Sequence, residues 1–327
     1  MRTPRLWTHI HITLGECSSD RQKERTTAWL TRSRACALNV DIDVLGNREA
    51  VHSAAGMLPA LLIPQMHRIV SLRIRAKYET TLCILCSAVF ARTGPTRPHS
   101  LKKLELVVSS PAQSVSEWSM DHIVLTRVGI TCPVIPNLTL DNLHFPPTWY
   151  DASALASLEI TQPLQHVPIH IGDILAVVEG SPQLRSLSIS ARIVESPGVT
   201  APTEVVHLPI LESLTVEANN INGIIRSLRF PTLRRLHLVD MDGMTRWTSM
   251  ALKEVLSTNS PRLPIRSLRI EKLAVIRDED VAGIVEGMKN VECIELVECP
   301  AYKKIWEALF VKTGRVVEER TYGTRVV

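Results

Sequence analysis

The 327-residue chain is about twice the length of a typical domain, so it forms either two domains or one elongated repeat array. With 45% hydrophobic and 21% charged residues it has enough apolar surface to offset the entropy of ordering, which excludes wholesale disorder. Thirty-seven Lys and Arg against 33 Asp and Glu leave a formal net charge of +4, too slight an excess to imply nucleic-acid binding, and 14 glycines are too few for a chain full of phosphate-cradling loops.

The seven cysteines are odd in number and scattered, unlike the dense spacing of a secreted disulfide framework. Residues 1–17 contain no apolar run long enough for a signal peptide. The longest apolar stretch, residues 57–63, is interrupted by Pro59 and is too short to span a bilayer. These features predict a reduced, intracellular protein of the cytoplasm or nucleus.

In chain order, a phrase of the form apolar-x-x-apolar-x-apolar recurs. Two looser copies at residues 7–12 and 40–44 are followed by nine at 69–74, 101–106, 135–140, 155–160, 184–189, 211–216, 233–238, 265–270 and 291–296. Their central apolar residues lie 20 to 34 residues apart, averaging about 28, a spacing within the leucine-rich-repeat range. Alternation over the end of each phrase puts its apolar pair on one face of a short strand. One such strand cannot bury that face alone, so copies are expected to stack as a parallel sheet, which requires a crossover between neighbours.

Residues 21–32, 80–92, 171–179, 249–257 and 279–289 read as the crossover helices. Asp278, Glu279 and Asp280 place negative charge where it suits a helix start. The interval carrying Pro146 and Pro147 has room only for a loop or a short 3-10 turn. Residues 302–310 read as a closing helix, with a terminal cap after it. A first strand around Ile10 and Ile12 would stand exposed at the end of the array. The expected fold is thus α/β: an irregular leucine-rich-repeat solenoid, with a parallel sheet on the concave side and helices and loops on the convex side.

The opening run Thr3-Pro4-Arg5-Leu6-Trp7-Thr8-His9-Ile10 resembles the junction that follows the F-box in fungal F-box-like proteins with leucine-rich-type repeats. Trp29-Leu30-Thr31-Arg32-Ser33 leading into Leu38-Asn39-Val40-Asp41-Ile42 is similar to the next segment of that family, and residues 61–74 to a third. Ala37 departs from a frequent proline, and Ile69-Val70 from a frequent tryptophan. The resemblance implies residues 1–8 as the trailing edge of an F-box-type module, residues 9–299 as the solenoid, and residues 300–327 as a closing helix and cap. It also implies a substrate receptor of a cullin-type ubiquitin ligase, provided an F-box is supplied to dock the ligase adaptor. A stand-alone scaffold with no ligase role is the alternative.

No residue pattern points to catalysis, a cofactor or a metal. Cys83 and Cys86 sit on an apolar helical stretch without a second ligand pair and read as core packing, as do Cys293 and Cys299. His9 and His11 alternate with isoleucines and should face solvent, while Pro168 keeps His166 and His170 off one helical face. Gly283 and Gly287 lie in a charged helix and carry no membrane meaning. Asn137-Leu138-Thr139 falls in a predicted strand and should be unmodified. A cysteine enzyme is disfavoured because no base or orienting partner can be assigned.

The candidate site is instead a surface. Alternation turns the third, fifth and seventh phrase positions toward the concave face, among them Arg73, Arg75, Lys103, Glu105, Asn137, Asp141, Glu159, Glu217, Arg235, His237, Arg269 and Glu271. Basic and acidic residues interleave and aromatic side chains are absent, which suits an unidentified protein partner of mixed charge better than nucleic acid or a membrane.

Overall fold

Every copy of the phrase forms a strand, and the strands register on one another by phrase position. The computed structural model describes residues 3–15, 19–44, 48–90, 100–109, 135–143, 152–163, 168–195, 205–241, 247–258, 265–272, 278–287, 291–299, 308, 317–320 and 323–326. The protein is mixed α/β with a large parallel sheet that does not close into a barrel. It divides into two compact units, residues 1–155 with 160–167, and residues 156–159 with 168–327.

In the first unit, β1 (His9–Leu14), β2 (Leu38–Val44), β3 (Ile69–Ala76), β4 (Lys103–Val108) and β5 (Asn137–Asp141) pair in parallel in chain order. The crossovers include α1 (Ser19–Arg32), α2 (Arg48–Leu62) and α3 (Glu79–Phe90). Pairing aligns Ile10, Val40, Leu72, Leu104 and Leu138 in one row, and Ile12, Ile42, Ile74, Leu106 and Leu140 in the next. None of these ten is more than 3% exposed, so each contributes about 1.5–3 kcal/mol of burial. β1 is an edge strand of the sheet, as expected, but its Ile10 and Ile12 are wholly buried, with α1 packed against β1. Trp7, in a 3-10 turn (Pro4–Trp7), lies under the Arg32 guanidinium at 4.9 Å, which ties the turn to α1.

β6 (Ser157–Thr161) carries the next copy after a 3-10 turn at Ala152–Ala154, as the short interval required. The second unit continues with β7 (Ile169–His170), α4 (Ile171–Glu179), β8 (Ser186–Ala191), β9 (Ile193–Val194), β10 (Val206–His207), β11 (Ser213–Ala218), α5 (Ile221–Arg226), β12 (Leu228–Arg229), β13 (Arg235–Asp240), α6 (Trp247–Thr258), β14 (Ser267–Glu271), α7 (Asp278–Gly287) and β15 (Cys293–Val297). β8, β11, β13, β14 and β15 are parallel neighbours. Their register aligns Leu187, Leu214, Leu236, Leu268 and Ile294, then Ile189, Val216, Leu238, Ile270 and Leu296, all at most 2% exposed. Ahead of the strands, the carbonyls of Ala156, Arg185, Glu212, Arg234 and Arg266 each accept two amides from the following copy, for example Glu212 N and Ser213 N on Arg185 O. The second phrase position is thereby joined to the backbone ladder ahead of each strand.

Five crossover helices fall where periodicity puts them, to within a few residues at their ends. Two were not expected. The α2 helix runs through Pro59, which removes one backbone bond and is tolerated because Ala54, Met57, Leu58 and Leu62 bury the apolar side of the helix. The six-residue α5 is started by Asn220, whose side chain accepts from Gly223 N at 3.1 Å. At the carboxyl end, β16 (Val317–Arg320) and β17 (Gly323–Val326) form a hairpin, with β17 antiparallel to β15. Of the closing helix expected at 302–310, all but Ala308 lies outside the described residues.

Leu214 is fully buried between Leu187 and Leu236. Leu214→Ala should therefore lower unfolding stability by about 2–5 kcal/mol in urea titrations, whereas Thr215→Ala, on the opposite face of β11, should change it by less than about 0.5 kcal/mol.

Candidate binding face

The alternation that buries the leucines turns three rows of side chains outward in each unit. In the first unit these rows are Asn39, Ser71, Lys103, Asn137; Asp41, Arg73, Glu105, Thr139; and Asp43, Arg75, Val107, Asp141. In the second they are Ser186, Ser213, Arg235, Ser267, Cys293; Ser188, Thr215, His237, Arg269, Glu295; and Ser190, Glu217, Val239, Glu271, Val297. All of the charged and polar residues expected on the face occupy it, Glu159 on β6 included, and each is partly or fully exposed. The third rows also hold Val107, Val239 and Val297, of which Val107 and Val239 are buried.

Neighbouring charges neutralise one another along these rows. In the first unit Arg73 Nε lies 2.9 Å from Glu105 Oε1, off the N–H axis, so the contact is ionic and not a hydrogen bond. Lys103 Nζ reaches the other oxygen of Glu105 at 3.2 Å. His9 and His11 each meet a carboxylate one strand away, Asp41 and Asp43, at 2.9 Å. Arg75 approaches Asp43 from the opposite side at 3.9 Å.

In the second unit Arg269 bridges Glu271 at 2.7 Å and Glu295 at 3.4 Å, His237 reaches Glu271 at 2.9 Å, and Ser190 donates to Glu217 at 2.7 Å. Exposed pairs of this kind contribute only about 0–1 kcal/mol each. Their main effect is to cancel the local field, so neither face presents one sign of charge. Asn137 instead donates to Lys102 O at 2.8 Å, which fixes it to the preceding repeat.

Several side chains that alternation does not reveal reach back to the preceding repeat. Asn142 Nδ2 donates to Val108 O at 2.7 Å, Asn219 Oδ1 accepts from Ile193 N at 2.7 Å, and Cys299 Sγ lies 3.5 Å from Ile270 O. Asn219 and Cys299 share a signal in the sequence: both stand three residues after the last apolar position of their phrase. Asn142 and Lys272, directly after β5 and β14, adopt φ of +59°. That conformation turns each backbone amide onto the end of the next strand, at Thr161 O and Val297 O.

Among the described cysteines, Cys83, Cys86 and Cys299 are buried. Cys83 and Cys86 are buried on α3, and burial pushes the Cys83 thiol far up, away from the reactive thiolate. Cys299 is buried and Cys293 half-buried on the outward face. His170 is exposed, and His166 lies outside the described residues. Among the described residues no three His, Cys, Asp or Glu side chains are placed to share a metal ion, and no helix is long and apolar enough to cross a membrane.

Burial opposes ionisation of Glu271, but hydrogen bonds from Arg269 and His237 outweigh it and hold the carboxyl below its usual range. A depressed folded-state pKa contributes stability that is complete above the unfolded value and lost as pH falls through the folded one. Glu271→Gln should therefore be less stable than wild type near neutrality, with the difference shrinking steadily below about pH 4 in urea titrations. Asn219→Ala, which leaves the part-buried Ile193 amide without its acceptor, should cost about 1–3 kcal/mol at any pH. No family model matches the chain, and no curated protein matches it.

Proposed function

We propose that the chain is a non-enzymatic protein-recognition module built from irregular leucine-rich repeats, whose sheet face receives a protein partner of mixed charge. The observation that carries this reading is the set of outward rows, in which Arg73, Arg75, Lys103, Arg235 and Arg269 interleave with Asp41, Asp43, Glu105, Glu271 and Glu295. A sheet of short registered strands presents such rows on a rigid support, and binding surfaces of this architecture are characteristically the strand face. Asn219 and Cys299 support the repeat assignment, since each occupies the Asn/Cys position of the L-x-x-L-x-L-x-x-N/C pattern and bonds to the preceding coil. Neutralised neighbours favour a partner whose own charges alternate, because a polyanion would meet Asp41, Asp43 and Glu105 as readily as the arginines.

The resemblance of residues 3–74 to fungal F-box-like proteins extends the proposal to substrate presentation for a cullin-type ubiquitin ligase. In that arrangement the repeats hold the substrate while an F-box docks the ligase adaptor.

The test is quantitative cross-linking in cells with wild type and the triple variant Arg73→Glu, Arg75→Glu, Arg269→Glu. The partner cross-linked by wild type should fall at least about fivefold with the triple variant and be unchanged with Arg21→Glu, a charge reversal on the exposed side of α1. An unchanged partner set would refute the face. Joined to an F-box, the chain should co-purify the ligase adaptor and promote ubiquitination of the same partner. Partner capture without ubiquitination would assign it instead to a stand-alone scaffold.

A further inference from the structure

Arg68 is a buried cation that no carboxylate of the described residues neutralises. It stands just before β3, is 7% exposed, and is held entirely by neutral acceptors. Nε donates to Gln65 Oε1 at 2.7 Å, Nη1 to Ser33 Oγ at 2.8 Å and to Cys36 O at 3.4 Å, and Nη2 to Leu30 O at 2.9 Å. A guanidinium has five N–H donors, so one Nη2 hydrogen remains without an acceptor among the described residues. Burial lowers the pKa of the group from its ordinary value, and the neighbouring Cys36 opposes this only in part.

Arg68 is also one of the residues lining an open pocket of about 400 Å³ between α1, α2 and the 3-10 turn at Ile63–Gln65. That volume is ample for a small organic ligand. Nine residues line it, and none is acidic. Arg34, exposed and with a left-handed backbone (φ of +51°), is a second arginine in the lining. Leu30, Ala60, Leu61 and Pro64 make the apolar part of the wall. A cavity with two positive groups, no negative one and an apolar wall is chemically complementary to an anion that carries a short hydrocarbon body.

We propose that this pocket binds a monoanionic carboxylate with a short apolar tail, either as a free acid or at the end of a peptide. A single planar carboxylate can accept from the free Nη2 hydrogen of Arg68 while its second oxygen faces Arg34. The carbonyls in the last turn of α1 bring partial negative charge to the same wall, which opposes any anion and a dianionic phosphate more strongly than a monoanionic carboxylate. The site is independent of the outward sheet face.

The experiment is an NMR titration of the full chain with butyrate, butyramide, inorganic phosphate and a short peptide ending in a leucine carboxylate. Butyrate should bind in the millimolar range and perturb the amides of Leu30, Arg34 and Gln65, with butyramide leaving them unmoved. Exposed Arg34, changed to Glu, should weaken butyrate at least about tenfold without altering the far-UV spectrum. Arg34→Lys, which keeps the charge, should retain part of the affinity. Stronger binding by the peptide than by butyrate assigns the peptide terminus as the source, and the reverse assigns a free acid. Equal binding of butyramide, tighter binding of phosphate, unchanged affinity in Arg34→Glu, or no perturbation by butyrate would each overturn the proposal.

Discussion

A short strand with one apolar face is not stable in water, and the rest of this molecule is arranged around that constraint. Each phrase supplies two apolar side chains on one side of the backbone, and only neighbouring copies in the same register give those side chains a continuous surface to bury against. A slip of one residue would turn Leu214 outward and Thr215 inward, so burial itself sets the register. The ladder of second-position carbonyls at Ala156, Arg185, Glu212, Arg234 and Arg266 reinforces that choice with backbone bonds that do not depend on side-chain identity.

The register then determines the outward surface without further instruction. Once Leu236 and Leu268 are neighbours, His237 and Arg269 must be neighbours too, and the diagonal from His237 brings Glu271 within hydrogen-bond distance. The same logic joins Arg73 to Glu105 and His11 to Asp43. Such a face is held in place by its own pairs; under the proposed function this lowers the entropy lost on binding, and a partner would have to exchange one pairing for another. In that reading, selectivity would depend on matching a pattern of charges more than on net attraction.

The strands and most helices were legible in the sequence because both depend on local period: two for the outward and inward positions, about 3.6 for helices such as α4 and α6. Features set by distant neighbours were not. Pro59 reads locally as a helix breaker, and only the burial of Leu58 and Leu62 shows that α2 passes through it. The helix α5 is too short for a period, and the hairpin of β16 and β17 lacks the phrase. Positive φ at Asn142 and Lys272 has no glycine to mark it. The outward residues were identifiable by alternation, but their ion-pair partners lie on other strands some thirty residues away in several cases, and Val107 and Val239 look like strand residues of either face. Arg68 is the clearest omission, since an arginine beside an apolar phrase gives no hint that it lies beneath α1.

The central claim is that neighbouring phrases are aligned position by position, and a native thiol tests it directly. Cys293 is half-buried on the outward face of β15 and is registered opposite Ser267 on β14. Opposed residues on paired strands stand about 5 Å apart, close enough for two thiols to be joined by oxidation or the shortest bis-thiol reagent, whereas residues offset by two positions are about 7–8 Å apart. Peptide mass spectrometry after such treatment should find Cys293 bridged in the Ser267→Cys protein and not in the Arg269→Cys protein. Preferential bridging in the Arg269→Cys protein would show that the strands are offset, and the buried rows and the outward face derived from them would both be wrong.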